Sequence, residues 1–245
     1  MILDKTLPWL LAASLTGCGD RIQLGDYLLW HAGHETGDAS EWSAPGIAGT
    51  SILSANVSDE RAHRGNYSLE LANTGAEAGI GAGFDFNVSR EAYFSAWFYL
   101  PEAYAGIESW LVVGFASRGE GCSDADELCA GVDLRLRSVP SGDLVLYVFN
   151  SEPDALQPPL SDPPYFVPIG RWFHLEARYR RAVDHSGRFH VWVDGDPVFR
   201  FEGWRTAEFD NLFWGLGTPP SEGALIYADD AAISEIGATP EADLD

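Results

Sequence analysis

The sequence predicts an all-β domain built from two stacked antiparallel sheets. Composition is the first indication: the 245 residues include 46% hydrophobic and 13% aromatic residues, with 26 Gly and 14 Pro, which favours short strands joined by turns over a helical bundle. The second indication is the alternation of apolar and polar residues along several segments, which is typical of strands with one face in water. Because each such sheet must bury its apolar face, two sheets packed against each other are the natural arrangement.

Alternation is clearest in three segments, 92–100, 131–138 and 172–180. A strand at 189–194 is followed by Asp194-Gly195, a pair that predicts a hairpin into 197–201. Further strands are predicted at 67–72, 79–86, 110–116, 143–149, 211–216 and 224–234. We expect one undivided domain over 26–238 and a frayed acidic tail over 239–245.

The charge of the chain argues against nucleic acid as a partner. The formal net charge is −22, and the only lysine, Lys5, lies in the leader. Such a chain repels polyanions, so an anionic polymer would need a local arginine patch to bind.

The first residues resemble a bacterial lipoprotein leader. Lys5 is followed by an apolar stretch over 7–15, too short to span a bilayer, and then by the tetrapeptide Leu-Thr-Gly-Cys that ends at Cys18. This tetrapeptide resembles the lipobox, which implies cleavage after a signal peptide over 1–17 and lipidation of Cys18. We expect a tether over 18–25 and a bacterial cell-envelope protein, facing periplasm or exterior, that contacts the membrane only through its lipid. The alternative is an ordinary secretory leader with a chance cysteine.

The two other cysteines, Cys122 and Cys129, bracket six residues in a turn-rich stretch. In an exported protein they predict a small loop closed by a disulfide. The alternative is a metal site that adds Asp124 and Asp126, but two cysteines with no nearby histidine do not complete a zinc shell.

Two pairs of motifs resemble the concanavalin A-like jelly-roll superfamily. Arg-Trp-Phe-His-Leu-Glu-Ala-Arg-Tyr at 171–179 and Gly-Arg-Phe-His-Val-Trp-Val-Asp-Gly at 187–195 are similar to a strand and hairpin of its lectins and glucanases. The segments 34–42 and 62–69 resemble the opening of bacterial carbohydrate-binding modules and heparin-lyase-like proteins. The resemblance implies a jelly roll in which a concave sheet binds glycan and a convex sheet closes the core.

By chain order, the strands of Trp97, Arg135 and Tyr147 would lie on the concave sheet, and those of His174 and Trp192 on the convex sheet. Sugars bind by stacking on aromatic rings and by hydrogen bonds to planar donors such as guanidinium. The alternative is that the aromatic rings only cover the sheet. The predicted glycan contacts, which favour an acidic sugar, are Tyr93, Trp97, Tyr99, Arg135, Arg137 and Tyr147.

The resemblance also implies a structural calcium ion that joins the two ends of the domain. The candidate ligands are Glu35 and Asp38 near the start with Asp229 and Asp230 near the end, since calcium prefers oxygen ligands. Neighbouring residues of a strand point to opposite faces, so we expect at most one of Asp229 and Asp230 to bind from the core side. The alternative is four solvated surface acids.

No convincing catalytic centre is predicted. The paired-acid pattern of the related hydrolases is absent from the sequence, and Trp-Leu-Val-Val-Gly-Phe-Ala at 110–116 stands where the related lyases carry Gln-x-His. We therefore predict a monomer that captures a polysaccharide, with an acidic one favoured, without cleaving it. Two alternatives are open: a lyase for a uronate-containing glycan, with a site built from Arg135, Arg137, Tyr147 and His190, and a structural or adhesive surface protein.

Overall fold

Two antiparallel sheets make up the part of the chain that the computed structural model describes, namely residues 28–43, 47–53, 55–72, 79–84, 91–103, 110–118, 129–150, 163–206, 211–217 and 224–234. The strands are β1 Leu28–Ala32, β2 Ile47–Leu53, β3 Ala55–Ser58, β4 Ser68–Ala72, β5 Gly79–Phe84, β6 Glu91–Tyr99, β7 Trp110–Arg118, β8 Cys129–Ser138, β9 Leu144–Asn150, β10 Trp172–Arg180, β11 Gly187–Val193, β12 Asp196–Trp204, β13 Asn211–Gly217 and β14 Leu225–Ser234. A short 3-10 turn covers Ala39–Ser43. Within these residues, no helix has the length and apolar character needed to cross a membrane.

The strands form a sandwich, as the sequence predicts. The larger sheet has eight strands in the order β12-β11-β10-β6-β14-β4-β3, with β1 also paired to β14. The smaller sheet has six strands in the order β2-β5-β13-β7-β8-β9. The strands predicted from alternation are all present, and β1, β2 and β3 are additional to them.

The core lies between the two sheets and explains the alternation. From the larger sheet, β6 contributes Phe94 and Phe98, both about 1% exposed or less. From the smaller sheet, β8 contributes Leu134, which is fully buried in the same cluster. Burying a side chain of this size contributes about 1.5–3 kcal/mol each, so the remaining positions of these strands are forced to the outer faces, which are the faces turned away from the core.

The hairpin between β11 and β12 confirms the prediction from Asp194-Gly195. Both residues have positive φ, 54° and 85°, as a two-residue hairpin turn of the primed type requires. The Asp194 carboxylate accepts a hydrogen bond from the backbone N–H of His174 at 2.8 Å and one from Arg171 at 3.0 Å. The turn therefore also fixes the start of β10.

The connection between β9 and β10, residues 151–171, is rich in proline, and its described end extends the smaller sheet. The backbone N–H of Leu146 donates to the carbonyl of Tyr165 at 3.0 Å, and that of Val167 donates to the carbonyl of Leu144 at 2.9 Å. A β-bridge joins Val145 to Phe166 between these two bonds. Residues 165–167 thus pair with β9, which is otherwise the last strand of its sheet.

Candidate functional site

The outer face of the smaller sheet assembles three of the predicted glycan contacts. In β8, core residues alternate with Asp133, Arg135 and Arg137. Tyr147 and Phe149 occupy the matching positions of β9, so that Arg135 lies across from Tyr147 and Asp133 from Phe149. Arg135, Arg137 and Tyr147 therefore share one face.

Arg135 is held in a defined orientation on this face. Its Nη2 atom lies 2.7 Å from Oδ2 of Asp133, and its guanidinium carbon lies 3.9 Å from the centre of the Phe149 ring. Burial raises the pKa of the Asp133 carboxyl, and the charge of Arg135 beside it opposes that rise. A planar cation fixed by both a carboxylate and a ring is preorganised for recognition of a further planar anion.

The other three predicted contacts, Tyr93, Trp97 and Tyr99, lie on the outer face of the larger sheet. All three are half-buried in β6, alternating with core residues as predicted. The neighbouring strand β10 places His174 across from Trp97 and Trp172 across from Tyr99. This face is therefore rich in aromatic rings and imidazoles.

The prediction that Trp97 shares a sheet with Arg135 and Tyr147 is wrong. Strand β6 lies between β10 and β14 in the larger sheet, whereas β8 and β9 belong to the smaller one. Trp97 therefore lies with His174 and Trp192, on the opposite side of the sandwich from Arg135. Alternation shows which residues of one strand share a face, but the partner strands are chosen by non-local contacts that chain order does not fix.

The aromatic rings of the larger sheet are covered by side chains of the protein itself. The ring of His63 stacks on Trp97 with centroids 3.7 Å apart, and the ring of His174 lies 4.8 Å from Trp97. The guanidinium carbon of Arg61 lies 4.5 Å from the centre of the Tyr99 ring. The segment 61–67, which carries Arg61 and His63, therefore lies over β6.

Asp229 holds this segment in place. Its side chain is fully buried, and Oδ2 accepts hydrogen bonds from the backbone N–H groups of His63 at 2.9 Å and Arg64 at 3.2 Å. Oδ1 accepts one from the backbone N–H of Asp230 at 2.8 Å and lies 3.5 Å from Nδ1 of His34. A buried carboxylate requires such partners, because an uncompensated buried charge is strongly destabilising.

A hydrogen bond from Trp42 decides which nitrogen of His34 carries the proton. His34 and Trp42 are both fully buried, and the indole N–H of Trp42 donates to Nε2 of His34 at 3.1 Å. An indole nitrogen can only donate, so Nε2 carries no proton and the proton sits on Nδ1, facing Asp229. His34 also has a φ of 62°, an uncommon value for a residue other than glycine.

Asp230 lies at a bulge and bridges two further histidines. The pairing of β14 with β6 shifts between Asp229 and Ala232, and Asp230 has a φ of 48°. Its Oδ1 lies 3.4 Å from Nε2 of His31, and its Oδ2 lies 3.5 Å from Nδ1 of His63. The hydrogen bond with His31 lowers the pKa of Asp230 and raises the pKa of His31, the latter against the effect of burial.

The bulge brings both acids to the same segment. The side chain of Asp229 is fully buried, whereas that of Asp230 is 22% exposed. Both carboxylates nevertheless contact His63, Asp229 at its backbone and Asp230 at its ring. An extra residue in one strand breaks the two-residue repeat, which is why both acids reach the same segment.

The remaining predicted calcium ligands have separate contacts. Glu35 accepts hydrogen bonds from the backbone N–H groups of Asn66 at 2.9 Å and Tyr67 at 3.0 Å, while Asp38 bonds within its own turn, to Ser40 at 3.0 Å. The oxygens of Glu35 and Asp229 thus face N–H donors. Among the residues that the structure describes, no group of three or more His, Cys, Asp or Glu side chains could hold a metal ion. Calcium binding by Glu35, Asp38, Asp229 and Asp230 stays a prediction.

Two side chains at these sites, His31 and His63, were not predicted, whereas the outward direction of Asp133 and Phe149 follows from the alternation of β8 and β9. His31 and His63 carried no such signal, because they meet only through the bulge at Asp230. Of the cysteines, Cys18 and Cys122 lie outside the described residues and Cys129 is the first residue of β8, so lipidation and the disulfide stay predictions.

Comparison with known proteins shows the fold. No family model and no curated protein sequence matches the chain. Among solved structures, an endo-β-1,4-glucuronan lyase from the fungus Trichoderma reesei is similar with a TM-score of 0.61 and 16% identity over 89% of this chain and 98% of that one. A mutant of the alginate lyase Aly36B, solved with an alginate tetrasaccharide, is similar with a TM-score of 0.56 and 13% identity over 81% of this chain and 89% of that one.

The cellulose-induced protein Cip1 is similar with a TM-score of 0.56 and 16% identity over 84% of this chain and 97% of that one. The predicted resemblance to concanavalin A-like jelly rolls is confirmed at the level of the fold. At such low identities the likeness says nothing about activity.

The first prediction concerns the Asp229 anchor. Asp229→Asn keeps the shape of the side chain but places an amide NH₂ against backbone N–H donors, so we expect the free energy of unfolding to fall by about 3 kcal/mol, measured by denaturant titration. Asp196→Asn, at an exposed acid, is the control and should leave stability nearly unchanged. Wild-type stability in Asp229→Asn would contradict the anchor.

The calcium prediction is tested by melting the wild type in calcium and in chelator at fixed ionic strength. An unchanged melting temperature would contradict calcium binding.

The second prediction concerns pH. Because the pKa of His31 is raised in the folded protein, its stabilising contribution is present below the ordinary histidine pKa and is lost as pH rises through the raised value. The wild type should therefore exceed His31→Gln in melting temperature by more at about pH 5.5 than at about pH 8.5. The exposed His185→Gln serves as a control. A pH-independent difference between wild type and His31→Gln would show that His31 is not part of an ion pair.

Proposed function

We propose that the chain is an exported, lipid-anchored protein whose jelly-roll domain binds an acidic polysaccharide on the outer face of the smaller sheet without cleaving it. One observation carries the proposal: on this face Arg135 is oriented by Asp133 and Phe149, while Arg137, two residues further along the same strand, is exposed to solvent. Tyr147 lies across from Arg135. Paired guanidinium groups beside an aromatic ring suit a sugar that carries a carboxylate.

The net charge of the chain opposes the binding of an acidic polymer, so local cations have to overcome it. The formal net charge is −22 with 15 Lys and Arg residues in total. Arg135 and Arg137 stand at alternate positions of β8, as Arg178 and Arg180 do in β10. Asp133 offsets the charge of Arg135, whereas Arg137 adds a cation at the surface. Charge-assisted hydrogen bonds to a carboxylate contribute about 1.5–3 kcal/mol each, which is enough to offset a screened long-range repulsion.

The outer face of the larger sheet is a weaker candidate for stacking sugars. Trp97 already contacts the rings of His63 and His174, and Tyr99 already contacts Arg61. A sugar that stacked on these rings would first have to displace the protein's own side chains. The geometry therefore favours the smaller sheet.

The similar structures support a carbohydrate ligand. Two of them are described as a glucuronan lyase and as an alginate lyase with bound alginate, and both polymers are built from uronates. The likeness to these structures shows the fold alone, so a uronate ligand for this chain is a proposal.

Lyase activity is the second candidate function. Elimination beside a uronate needs a group that neutralises the carboxylate, a base and an acid. Arg135 and Tyr147 face each other across β8 and β9, and burial raises the pKa of Asp133 beside them. His190, which the predicted lyase site included, lies on the larger sheet and cannot join them.

Binding to a panel of polysaccharides tests the proposed function. Arg137→Gln should weaken binding of glucuronan or alginate by about tenfold, measured by titration calorimetry on the full chain in mild detergent. Arg188→Gln removes the same charge from the larger sheet and should change affinity little. Equal losses in both variants would indicate a general charge effect and contradict the site.

The same samples distinguish capture from cleavage. We expect no growth of absorbance from unsaturated uronates when the wild type is incubated with polymers that it binds. Growth that Tyr147→Phe abolishes while binding persists would instead establish the lyase. Absence of binding to every polyuronate would overturn the glycan proposal.

The lipid anchor is tested in cells. Because the lipobox chemistry transfers a diacylglyceryl group to the thiol of Cys18, a palmitate analogue should label the wild type and should not label Cys18→Ala. Cys129→Ala is the matched control and should keep the label. Undiminished labelling of Cys18→Ala would contradict the anchor.

A further inference from the structure

One end of the larger sheet, which we name the basic end, collects cationic side chains. It is the end at which β10 finishes, β11 begins and β12 finishes, since these strands are antiparallel neighbours. The described residues place six arginines there: Arg178, Arg180, Arg181, Arg188, Arg200 and Arg205. The acids described at the same end are three: Glu91, Asp184 and Glu202. The basic end therefore has an excess of cations, in a chain that has 15 Lys and Arg residues and a formal net charge of −22.

The pairing of the strands places several of these cations against one another. Arg180 of β10 lies directly across from Arg188 of β11. One pair further along, Arg178 lies across from His190, which lies across from Arg200 of β12. Paired residues of neighbouring strands point to the same side of a sheet, and like charges at such positions repel each other. An anion from outside the chain would relieve this repulsion.

The acids of the basic end offset only part of the positive charge. Glu91 pairs with Arg178, and Glu202 lies 3.4 Å from Arg200. Burial lowers the pKa of His190, and three arginines around it lower that pKa further despite the carboxylate of Glu202: Arg178, Arg200 and Arg188. The local field at the centre of these strands is therefore positive.

Exposed apolar side chains lie at the same end of the sheet. Val183, in the turn between β10 and β11, is 58% exposed, and Leu28 and Leu29 at the start of β1 are 40% and 36% exposed. Five large apolar side chains are exposed among the described residues, so this end holds three of them. Cations beside exposed apolar side chains suit the surface of an anionic bilayer, where arginines meet phosphates and apolar groups enter the boundary with the acyl chains.

The proposed lipid anchor leads to this end of the domain. Paired residues of six strands form one continuous row that starts at β1 and ends at β12: Leu28, Ser234, Tyr93, Arg178, His190 and Arg200. Neighbouring strands are about 4.8 Å apart, so the row is about 24 Å long. Ten residues lead from Cys18 to Leu28, and they can span at most about 35 Å. A lipid on Cys18 would therefore keep the basic end within reach of the bilayer.

We propose that the basic end is a docking surface for anionic phospholipid headgroups, with the arginines of β10 to β12 on the phosphates and Val183 at the acyl boundary. This inference rests on the lipid anchor of the proposed function and adds an orientation to it. Charges farther than about 8 Å from the contact are screened at physiological ionic strength, so the acids elsewhere on the chain do not cancel the attraction. Arg137 lies on the other sheet and stays accessible to a polysaccharide.

Hydrogen exchange on vesicles tests the docking surface. The lipidated full chain is reconstituted into vesicles of phosphatidylcholine, either alone or mixed with phosphatidylglycerol. Exchange of the backbone amides of residues 183–186 should be slower in the anionic vesicles by about fivefold or more, since one arginine beside an anionic surface contributes about that factor. Raised salt should abolish the difference, because it screens the attraction.

Variants assign the effect to the basic end. Arg180→Gln with Arg188→Gln should abolish the slowing, because the loss of two arginines weakens docking by about 25-fold. Val183→Gln keeps the charge and should weaken docking by about three- to tenfold, since it removes the apolar contact. Arg64→Gln with Arg171→Gln, at exposed arginines away from the basic end, is the matched control and should keep the slowing. Comparing the two vesicles within one variant separates docking from any change in folding.

Flotation of the same samples distinguishes the two proposals. A wild type that floats with neither vesicle is not lipid-anchored, which overturns the anchor and the docking surface together. A wild type that floats with both vesicles but exchanges equally in them overturns the docking surface and leaves the anchor in place. Equal slowing on phosphatidylcholine vesicles after addition of soluble glucuronan would show that the basic end binds polyanions in general, and it would overturn the assignment to phospholipid.

Discussion

The buried carboxylate of Asp229 is the interaction on which the larger sheet's outer face depends. It accepts backbone N–H groups from His63 and Arg64 and lies against Nδ1 of His34, so it joins the last strand to two segments near the start of the domain. Neither segment could be buried beside a charge without those bonds, because an unpaired buried carboxylate would cost several kcal/mol. The same carboxylate therefore closes the sheet and holds His63 over Trp97.

The outer faces of the two sheets differ in how far their side chains are covered, because Asp229 holds the segment 61–67 over the larger sheet. On the larger sheet, the segment 61–67 places an imidazole and a guanidinium over the rings of β6, which satisfies those rings internally. On the smaller sheet, Arg137 is exposed, and Phe166 beside β9 is 55% exposed. The covered aromatic face and the face of the proposed glycan site therefore belong to different sheets.

The alternation of apolar and polar residues predicted the strands and their outward-facing residues, but it did not predict which strands pair with each other. The alternation of β6 and β8 follows from burial of every second residue, so strand bounds and the residues facing outward were available from the sequence. Sheet membership was not, because Trp97 is placed beside His174 by the pairing of β6 with β10. The bulge at Asp230 could not be predicted either, since an inserted residue leaves no repeat to detect. The contacts of His31 and His63 with Asp230 depend on this bulge, so they could not be predicted from the sequence.

The acidity of the chain limits how an acidic polymer could bind. At physiological ionic strength, the repulsion between exposed charges is screened beyond about 8 Å, so the acids nearest to the proposed site matter most. A polyuronate carries one carboxylate on every sugar, and its binding free energy must therefore come from fixed contacts such as the one proposed at Arg137. Its sugar rings also have an apolar face that can stack on an aromatic side chain beside the arginine, such as Tyr147. The proposed site thus depends on these contacts, which have to outweigh the repulsion from a chain with a formal net charge of −22.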